Sequence, residues 1–254
     1  MMASQIADKA CDVAGHFSRA TEYSRHDVLQ RRTAARLKSW VAQSGRVLDL
    51  GAGPGTAFDT PDIGRVIGVD LAFGMCERLK SRFPQTDAVC GDARQLPFLS
   101  ASFDSLYSNL ALQWCQPFAA AIDEAARVLR PGGEAAIAVV CDGSLPELEQ
   151  LGFSVNHFID ALAALSAFKA EHWQLLHTEI TTETVHFADL RSLIYSIKGV
   201  GANARQDAGQ AAKLRGRQDW LARLEAAEAL RTDSGLPLSY QILYVVARRQ
   251  QENS

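Results

Sequence analysis

No two cysteines in this chain are spaced C-x-x-C. The five, Cys11, Cys76, Cys90, Cys115 and Cys141, are odd in number and widely scattered, which argues against both a disulfide framework and a structural zinc site. They read as reduced thiols, and Cys90 and Cys141, in apolar strand-like runs, are expected as small core residues. Long hydrophobic runs are missing too. The amino terminus, MMASQIADKACDVAGHF, carries charges at Asp8, Lys9 and Asp12 and holds neither a signal peptide nor a membrane span. A cytoplasmic address with no membrane partner is the expectation. Nor does one sign of charge dominate: 26 Lys+Arg against 29 Asp+Glu leave a net charge of -3. Nucleic acid is therefore not an expected partner, and an anionic partner would have to be met by a local basic patch. Finally, no Pro/Gly/Ser-rich linker, internal repeat or low-complexity tract divides the 254 residues.

What is present suits one domain with a sizeable core, 47% of the residues being hydrophobic and 22% charged. From residue 46, short apolar runs alternate with helical stretches: RVLDLGA, VIGVDLA, DAVCGD, SFDSLYSNL and EAAIAVVC are separated by segments such as GMCERLKSRF and FAAAIDEAARVL. The second of these helices is stopped by Arg130-Pro131-Gly132-Gly133. Such alternation predicts an α/β fold with a mostly parallel sheet covered on both faces, its ligand crevice at the carboxyl ends of the strands. After Asp142 the pattern changes. A helix is expected over Phe158 to Lys169, strands over Thr178 to Phe187 and Ser239 to Arg248 that pair at the far edge of the sheet, and a long helical stretch from Asp189 to Arg231 over the crevice. The chain thus reads as one domain, 1–254, with a helical cover (4–44), a core (46–141), lid and substrate-side elements (142–235) and a final strand (236–249). The cover carries a basic stripe at Arg25, Arg31, Arg32 and Arg36.

The strongest local signal is VLDLGAGPGTAF, where Gly51, Gly53 and Gly55 permit a tight turn and close backbone approach as the first strand gives way to a helix. A dinucleotide fingerprint is G-x-G-x-x-G. Here the third glycine comes one residue early, after Pro54, so that Asp49 to Gly55 follow the D/E-x-G-x-G-x-G pattern. The region resembles the Rossmann-like class I S-adenosylmethionine-dependent methyltransferases. Nineteen residues after Gly51, Asp70 ends VIGVD, where an acid can accept both ribose hydroxyls. Asp92 ends the third strand, where the resemblance implies an acid for the adenine amino group, with the Ala93 N–H on the ring. Either acid could instead cap the next helix. The resemblance further implies cofactor contacts from Asp49, Ala52, Leu71 and Met75, a seven-stranded sheet with an antiparallel edge strand, and helical lid elements. SNLALQWC, Ser108 to Cys115, ends the fourth strand. By the same resemblance Asn109 and Leu110 lie near the amino-acid part of the cofactor, with Gln113 and Trp114 further out toward substrate.

YSNLALQWC, CDGSLPELEQ, YSIKGVGAN and LPLSYQILYVVAR, together with FSRATEYSRHDVLQ near the amino terminus, resemble the malonyl-acyl-carrier-protein O-methyltransferases of biotin synthesis. That implies methyl transfer from S-adenosylmethionine to the free carboxylate of a malonyl thioester, held on an acidic, phosphopantetheine-bearing carrier protein or on CoA. The stretch from Gln150 to Trp173 looks short beside the family. A carboxylate of pKa near ~4 is already ionised at neutral pH, so no general base is needed and none of the six histidines is required. Tyr23 is a candidate lid residue, or else a helix anchor. Lys198, between Ser196 and Gly199, could orient the carboxylate, meet the phosphopantetheine, or simply face solvent. With Trp114 these form the candidate catalytic set, and no metal is implied. Arg205, Lys213, Arg215 and Arg217 form a basic run that suits an acidic carrier or a solvated helix face. Methylation of a quinone carbon or a phenol, and a nucleotide-binding regulator without catalysis, are the competing readings.

Overall fold

The computed structural model describes residues 28–40, 45–55, 65–199 and 216–251. Four short apolar runs make the parallel heart of the sheet: β1 (Val47–Leu50), β2 (Val66–Asp70), β3 (Asp87–Cys90) and β4 (Phe103–Asn109). A fifth strand, β5 (Leu129–Cys141), joins β4 in parallel, and two long strands, β6 (Trp173–Phe187) and β7 (Leu236–Arg249), complete the order β3-β2-β1-β4-β5-β7-β6. β7 runs antiparallel to both β5 and β6, so the edge strand β6 is held by antiparallel pairing. Parallel strands are sandwiched between covering layers and need apolar residues on both faces. All four residues of β1 are buried accordingly, the carboxylic acid Asp49 included.

Among the described residues the helices are α1 (Val28–Lys38), α2 (Phe73–Arg82), α3 (Phe118–Val128), α4 (Pro146–Gln150), α5 (Ala161–Ser166), α6 (Leu190–Gly199) and α7 (Arg217–Ala229). α3 illustrates how helical spacing makes a covering layer. Phe118, Ala121, Ile122, Ala125, Ala126 and Val128 are buried on one face, and burying a side chain such as Ile122 fully is worth about 1.5–3 kcal/mol. Arg130 to Gly133 do stop this helix, but they belong to the irregular start of β5, where the register against β4 shifts between Phe103 and Ser105.

Three expectations change in detail. Phe158 precedes rather than enters its helix: α5 starts at Ala161, with the Asp160 carboxylate accepting from Ala163 N at 2.9 Å as its cap. The long helical stretch contains two helices, α6 and α7, on either side of residues 200–215, which lie outside the described ones. Cys90 is exposed, because it ends the outermost strand β3, whereas Cys141 is buried in β5 as expected.

The substrate-side elements are stitched to the sheet through the GSLPEL stretch. The Ser144 hydroxyl donates to Cys141 O at 2.7 Å and accepts from Gln241 N at 2.8 Å. Leu145 N donates to Ser239 O at 2.7 Å, and the Glu147 carboxylate accepts from Ser239 N at 3.0 Å. Above this seam Leu145, Leu148, Leu193, Ile197 and Leu238 form an apolar cluster of their own, with Phe158 and Tyr240 at its border. On α1 the basic stripe serves the fold: Arg36 pairs with Glu179 at 2.6 Å and Arg32 donates to Thr184 O at 2.9 Å, docking the helix on β6.

Candidate active site

The carboxyl ends of β1, β2, β3 and β4 lie along one edge of the sheet, and the loop from Gly51 to Gly55 is folded tightly against them. Gly51 and Ala52 both donate to Val69 O, at 2.7 and 3.0 Å, Gly53 donates to the Asp70 carboxylate at 2.9 Å, and Gly55 donates to Ala52 O at 3.0 Å. Pro54 has no N–H. Every amide hydrogen of the loop is therefore used inside the protein. A pyrophosphate held at a glycine-rich loop depends on backbone N–H groups that point outward, and this loop supplies none. What it offers is proximity. Gly51 has φ +76°, and a Cβ there would lie 2.1 Å from the Ala111 Cβ, so the ends of β1 and β4 meet with no side chain between them.

Asp70 organises the neighbouring corner. One carboxylate oxygen takes the Gly53 N–H and the other the Ala72 N–H, at 2.8 Å. Burial pushes its carboxyl above the ordinary range, and these two N–H groups pull it back. Each oxygen keeps a lone pair, enough for a pair of ribose hydroxyls. Asp49, fully buried one strand over, is pushed up to about 7 by burial reinforced by the Asp70 charge, with Lys38 opposing. Two acids thus share a poorly hydrated corner where ionising both is costly, and a cationic ligand would favour their charged forms.

Asp92 stands at the end of β3 beside Ala93, both half-buried. No helix comes directly after it. Its side chain caps the turn instead, accepting from Arg94 N at 2.9 Å, and is gripped by the Arg94 guanidinium at 2.6 Å. The nearby Cys115 thiol is pushed up to about 12 by burial and by the Asp92 charge, so it is a packing group at neutral pH.

At the end of β4 the Ser108 hydroxyl donates to Leu50 O at 2.7 Å, and Asn109 Nδ2 donates to Gln30 O of α1 at 2.9 Å. Leu110, at φ +53°, turns the chain into a short 3-10 turn, Leu112–Trp114, with Gln113 Nε2 donating to Leu110 O at 2.7 Å. Trp114 packs edge-on against Phe158, ring centroids 5.9 Å apart, and Phe158, Leu110 and Tyr240 continue the apolar wall.

The structure thus gathers Gly51, Gly53, Asp70, Asp92, Ala93, Asn109 and Leu110 at the strand ends, with Trp114 beyond them. Ala52 is buried at the base of the loop, Gly55 packs on Leu79 and Phe83, Leu71 is 37% exposed and Met75 only 1%. Tyr23, Arg25, Arg205, Lys213 and Arg215 lie outside the described residues; Lys198 falls in the last turn of α6 and its side chain lies outside them too, while Arg217 opens α7 at the surface. Gln30, Arg94, Phe158 and Tyr240 were not singled out from sequence. Each reaches the site through a contact distant in sequence or specific to one turn, and the only hint was that Gln30 ends the FSRATEYSRHDVLQ stretch.

Comparison with known proteins agrees with this geometry. A family model described as "Methyltransferase domain" matches residues 48–137. The chain is 36% identical over 92% of its length to the biotin biosynthesis bifunctional protein BioHC of Cellvibrio japonicus, of which it spans about half (49%). It is 35% identical to the malonyl-[acyl-carrier protein] O-methyltransferase of Yersinia pestis, over 93% of this chain and 91% of that one. Among solved structures, geranyl diphosphate C-methyltransferase from Streptomyces coelicolor, in complex with Mg2+, geranyl diphosphate and S-adenosyl-L-homocysteine, superposes with a TM-score of 0.53 at 15% identity, covering 87% of this chain and 79% of that one, a likeness of fold. With strands in the order 3-2-1-4-5-7-6, a glycine loop closed to phosphate and a relative matched along nearly its whole length, the chain belongs to the malonyl-[acyl-carrier protein] O-methyltransferase family of S-adenosylmethionine-dependent enzymes.

Proposed function

We propose that this protein methylates the free carboxylate of a malonyl thioester carried on acyl-carrier protein, giving the methyl ester that primes biotin synthesis. The observation that carries the cofactor half is the glycine loop: with all its N–H groups engaged internally and the buried Asp49 and half-buried Asp70 beside it, it suits a phosphate-free, positively charged nucleoside. S-adenosylmethionine, when bound, supplies a sulfonium methyl to a nucleophile in line with it. Gly51 and Ala111 would bound the passage, Asp70 would take the ribose, and Asp92 with the Ala93 N–H would hold the adenine.

The acceptor half rests on the composition of the wall beyond β4. Trp114, Phe158, Leu110 and Tyr240 are aromatic or aliphatic, and the described histidines, His157, His172, His177 and His186, are exposed. Among the described residues this wall is largely apolar and none of its members is a histidine or a carboxylate. An already ionised carboxylate needs no base, and attack on a sulfonium brings opposite charges together, a step favoured by low polarity. Phenol or quinone acceptors, which gain from deprotonation, suit the wall less well. Burial raises the Tyr240 phenol well above its ordinary range, with Glu147 adding to the effect, and this keeps it a hydrogen-bond donor.

The test is incubation with S-adenosylmethionine and either malonyl or acetyl carrier protein, then measurement of intact mass. Malonyl carrier protein should gain one methyl and acetyl carrier protein none. Methylation of both, or of a phenol in preference, would overturn the acceptor assignment, and tight cofactor binding with no acceptor methylated would favour the regulator.

A further inference from the structure

Two thiols from different elements meet beside the Asp70 corner. Cys76, in the first turn of α2, and Cys90, the last residue of β3, are both free, and their side chains lie within hydrogen-bonding contact of each other. Their other contacts converge on neighbouring peptide groups. The Cys76 thiol faces Val89 O at 3.4 Å and Asp70 O at 3.6 Å, and the Cys90 thiol donates to Leu71 O at 3.5 Å. Asp70 and Leu71 are consecutive, as are Val89 and Cys90, and Asp70 lies opposite Cys90 in the register of β2 on β3. The two thiols differ in access. Cys90 is exposed, whereas Cys76 is only 6% exposed and its thiol is pushed up to about 11, by burial first and then by the Asp70 charge and by Cys90. An accessible thiol backed by a protonated, buried one is the arrangement of a reactive and a resolving cysteine.

We propose that Cys76 and Cys90 form a reversible disulfide on exposure to a hydroperoxide, and that this bond weakens cofactor binding by shifting the turn that carries Asp70. The Cys90 sulfur attacks the O–O bond of hydrogen peroxide, becoming a sulfenic acid as water is released. The Cys76 sulfur then attacks the Cys90 sulfur, and hydroxide leaves with the Cys76 proton as a second water. Two thiols and one peroxide thus become one disulfide and two waters, the sulfurs losing the electron pair that the peroxide gains. Thiol exchange with a reductant restores the pair, as expected of a transient disulfide in a reducing compartment. The bond acts on the turn by geometry. An S–S bond is about 2.0 Å long, shorter than any contact between thiols, so Cys76 must move toward β3, and both sulfurs lose the hydrogens they direct at Asp70 O, Val89 O and Leu71 O. Between them lies Ala72, whose N–H holds Asp70 Oδ1 at 2.8 Å and whose carbonyl accepts from Cys76 N at 3.3 Å. Moving Cys76 therefore moves the peptide that orients the Asp70 carboxylate. The disulfide is independent of the S-adenosylmethionine reading; its effect on binding rests on it.

The full-length protein, reduced and then exposed to hydrogen peroxide, is blocked with N-ethylmaleimide, digested with trypsin and mapped by mass. Peptides 66–78 and 83–94, each with a single cysteine, should be found joined, and separate again after treatment with a phosphine reductant. Calorimetric titration with S-adenosylhomocysteine should show the oxidised protein binding about fivefold or more weakly than the reduced one, the lower end of typical coupling between sites, with recovery on reduction. Cys90→Ser, changed at an exposed position, should bind as the reduced parent does before and after peroxide, and Cys76→Ala should likewise form no link. Peptides that stay separate, or that join other cysteines instead, would overturn the site. A joined pair with unchanged affinity, or an equal loss in Cys90→Ser, would overturn its control of binding. A reduced parent that binds no S-adenosylhomocysteine would overturn the cofactor reading, and the peptide map still decides the disulfide.

Discussion

The guanidinium of Arg94 grips the Asp92 carboxylate side-on, Nε 3.0 Å from Oδ1 and Nη2 2.6 Å from Oδ2, while its remaining nitrogen, Nη1, donates to Gln116 O at 2.7 Å. A residue two positions away thus fixes the acid assigned to adenine and ties it to the loop after β4. The backbone N–H of Arg94 also donates to Oδ1 and its Nε is shared with Oδ2 at 3.1 Å, so both carboxylate oxygens are held from the Arg94 side. The pairing is charge-assisted and only partly exposed, 18% and 30% for the two side chains, so it is stronger than a solvated ion pair.

Arg94→Gln is therefore expected to loosen the adenine contact. Hydrogen bonding from Arg94 holds the Asp92 carboxyl below its ordinary range, against burial. Removing the guanidinium should raise that pKa, so that S-adenosylhomocysteine binding fails at a higher pH on acidification and weakens about 5- to 20-fold at pH 7, in line with the loss of hydrogen bonds to a charged group. Carbon-detected titration of the Asp92 carboxyl, alongside calorimetry from pH 7 to pH 5, checks both. An unmoved carboxyl titration in a folded variant would exclude the coupling.

Gly51→Ala tests the junction of β1 and β4. The substitution meets two obstacles: a left-handed backbone at φ +76°, costing an L-residue about 1–2 kcal/mol, and a Cβ placed 2.1 Å from Ala111. Denaturant unfolding should show a loss of at least ~2 kcal/mol, with cofactor affinity falling by more than stability alone explains because the strand ends must part. Combining it with Ala111→Gly should restore part of the stability, since that removes the methyl group in the way but not the backbone strain. A double variant no better than the single one would mean that the contact is not what limits this turn.

Much of this architecture was legible because parallel strands leave a simple trace. VLDL, VIGVD and SFDSLYSN are apolar runs that carry an acid or amide at or next to their last residue, and the strands fall within a few residues of where alternation puts them. The corner residues Gly51, Asp70, Asp92 and Asn109 were legible for the same reason: in such a sheet, every strand end faces the same crevice. Less was readable where partners are remote. Nothing in a linear pattern says that Arg36 will pair with Glu179 and Glu183 rather than with a ligand, or that Ser144 will stitch Cys141 to Gln241. Cys90 misled because periodicity reports an apolar run without saying which strand is outermost. Asp49 was legible as a member of the glycine motif, but its electrostatic state depends on burial and on neighbours from other strands.

That state makes the last prediction. Asp49 lies within β1, pushed up to about 7 by burial and by Asp70, with Lys38 opposing and the Tyr107 phenol of β4 sharing its field. In the unfolded chain it titrates near 3.8. Between those values the folded state holds a proton that the unfolded state has released, so the contribution of Asp49 is fully favourable below about pH 4 and is lost as pH rises toward 7. Each pH unit across that window removes up to about 1.4 kcal/mol, on the order of 4 kcal/mol in all. Asp49→Asn lacks this titration. Its stability relative to the parent should therefore rise from pH 4 to pH 7.5 and then level off, as read by urea unfolding at each pH. A cationic cofactor favours the ionised carboxylate, so binding near pH 6.5 should release a proton from the parent and not from Asp49→Asn, measurable by calorimetry in buffers of different ionisation enthalpy. A stability difference independent of pH, or equal proton release from both proteins, would show that Asp49 is already ionised in the free enzyme and that the crevice is better hydrated than its burial implies.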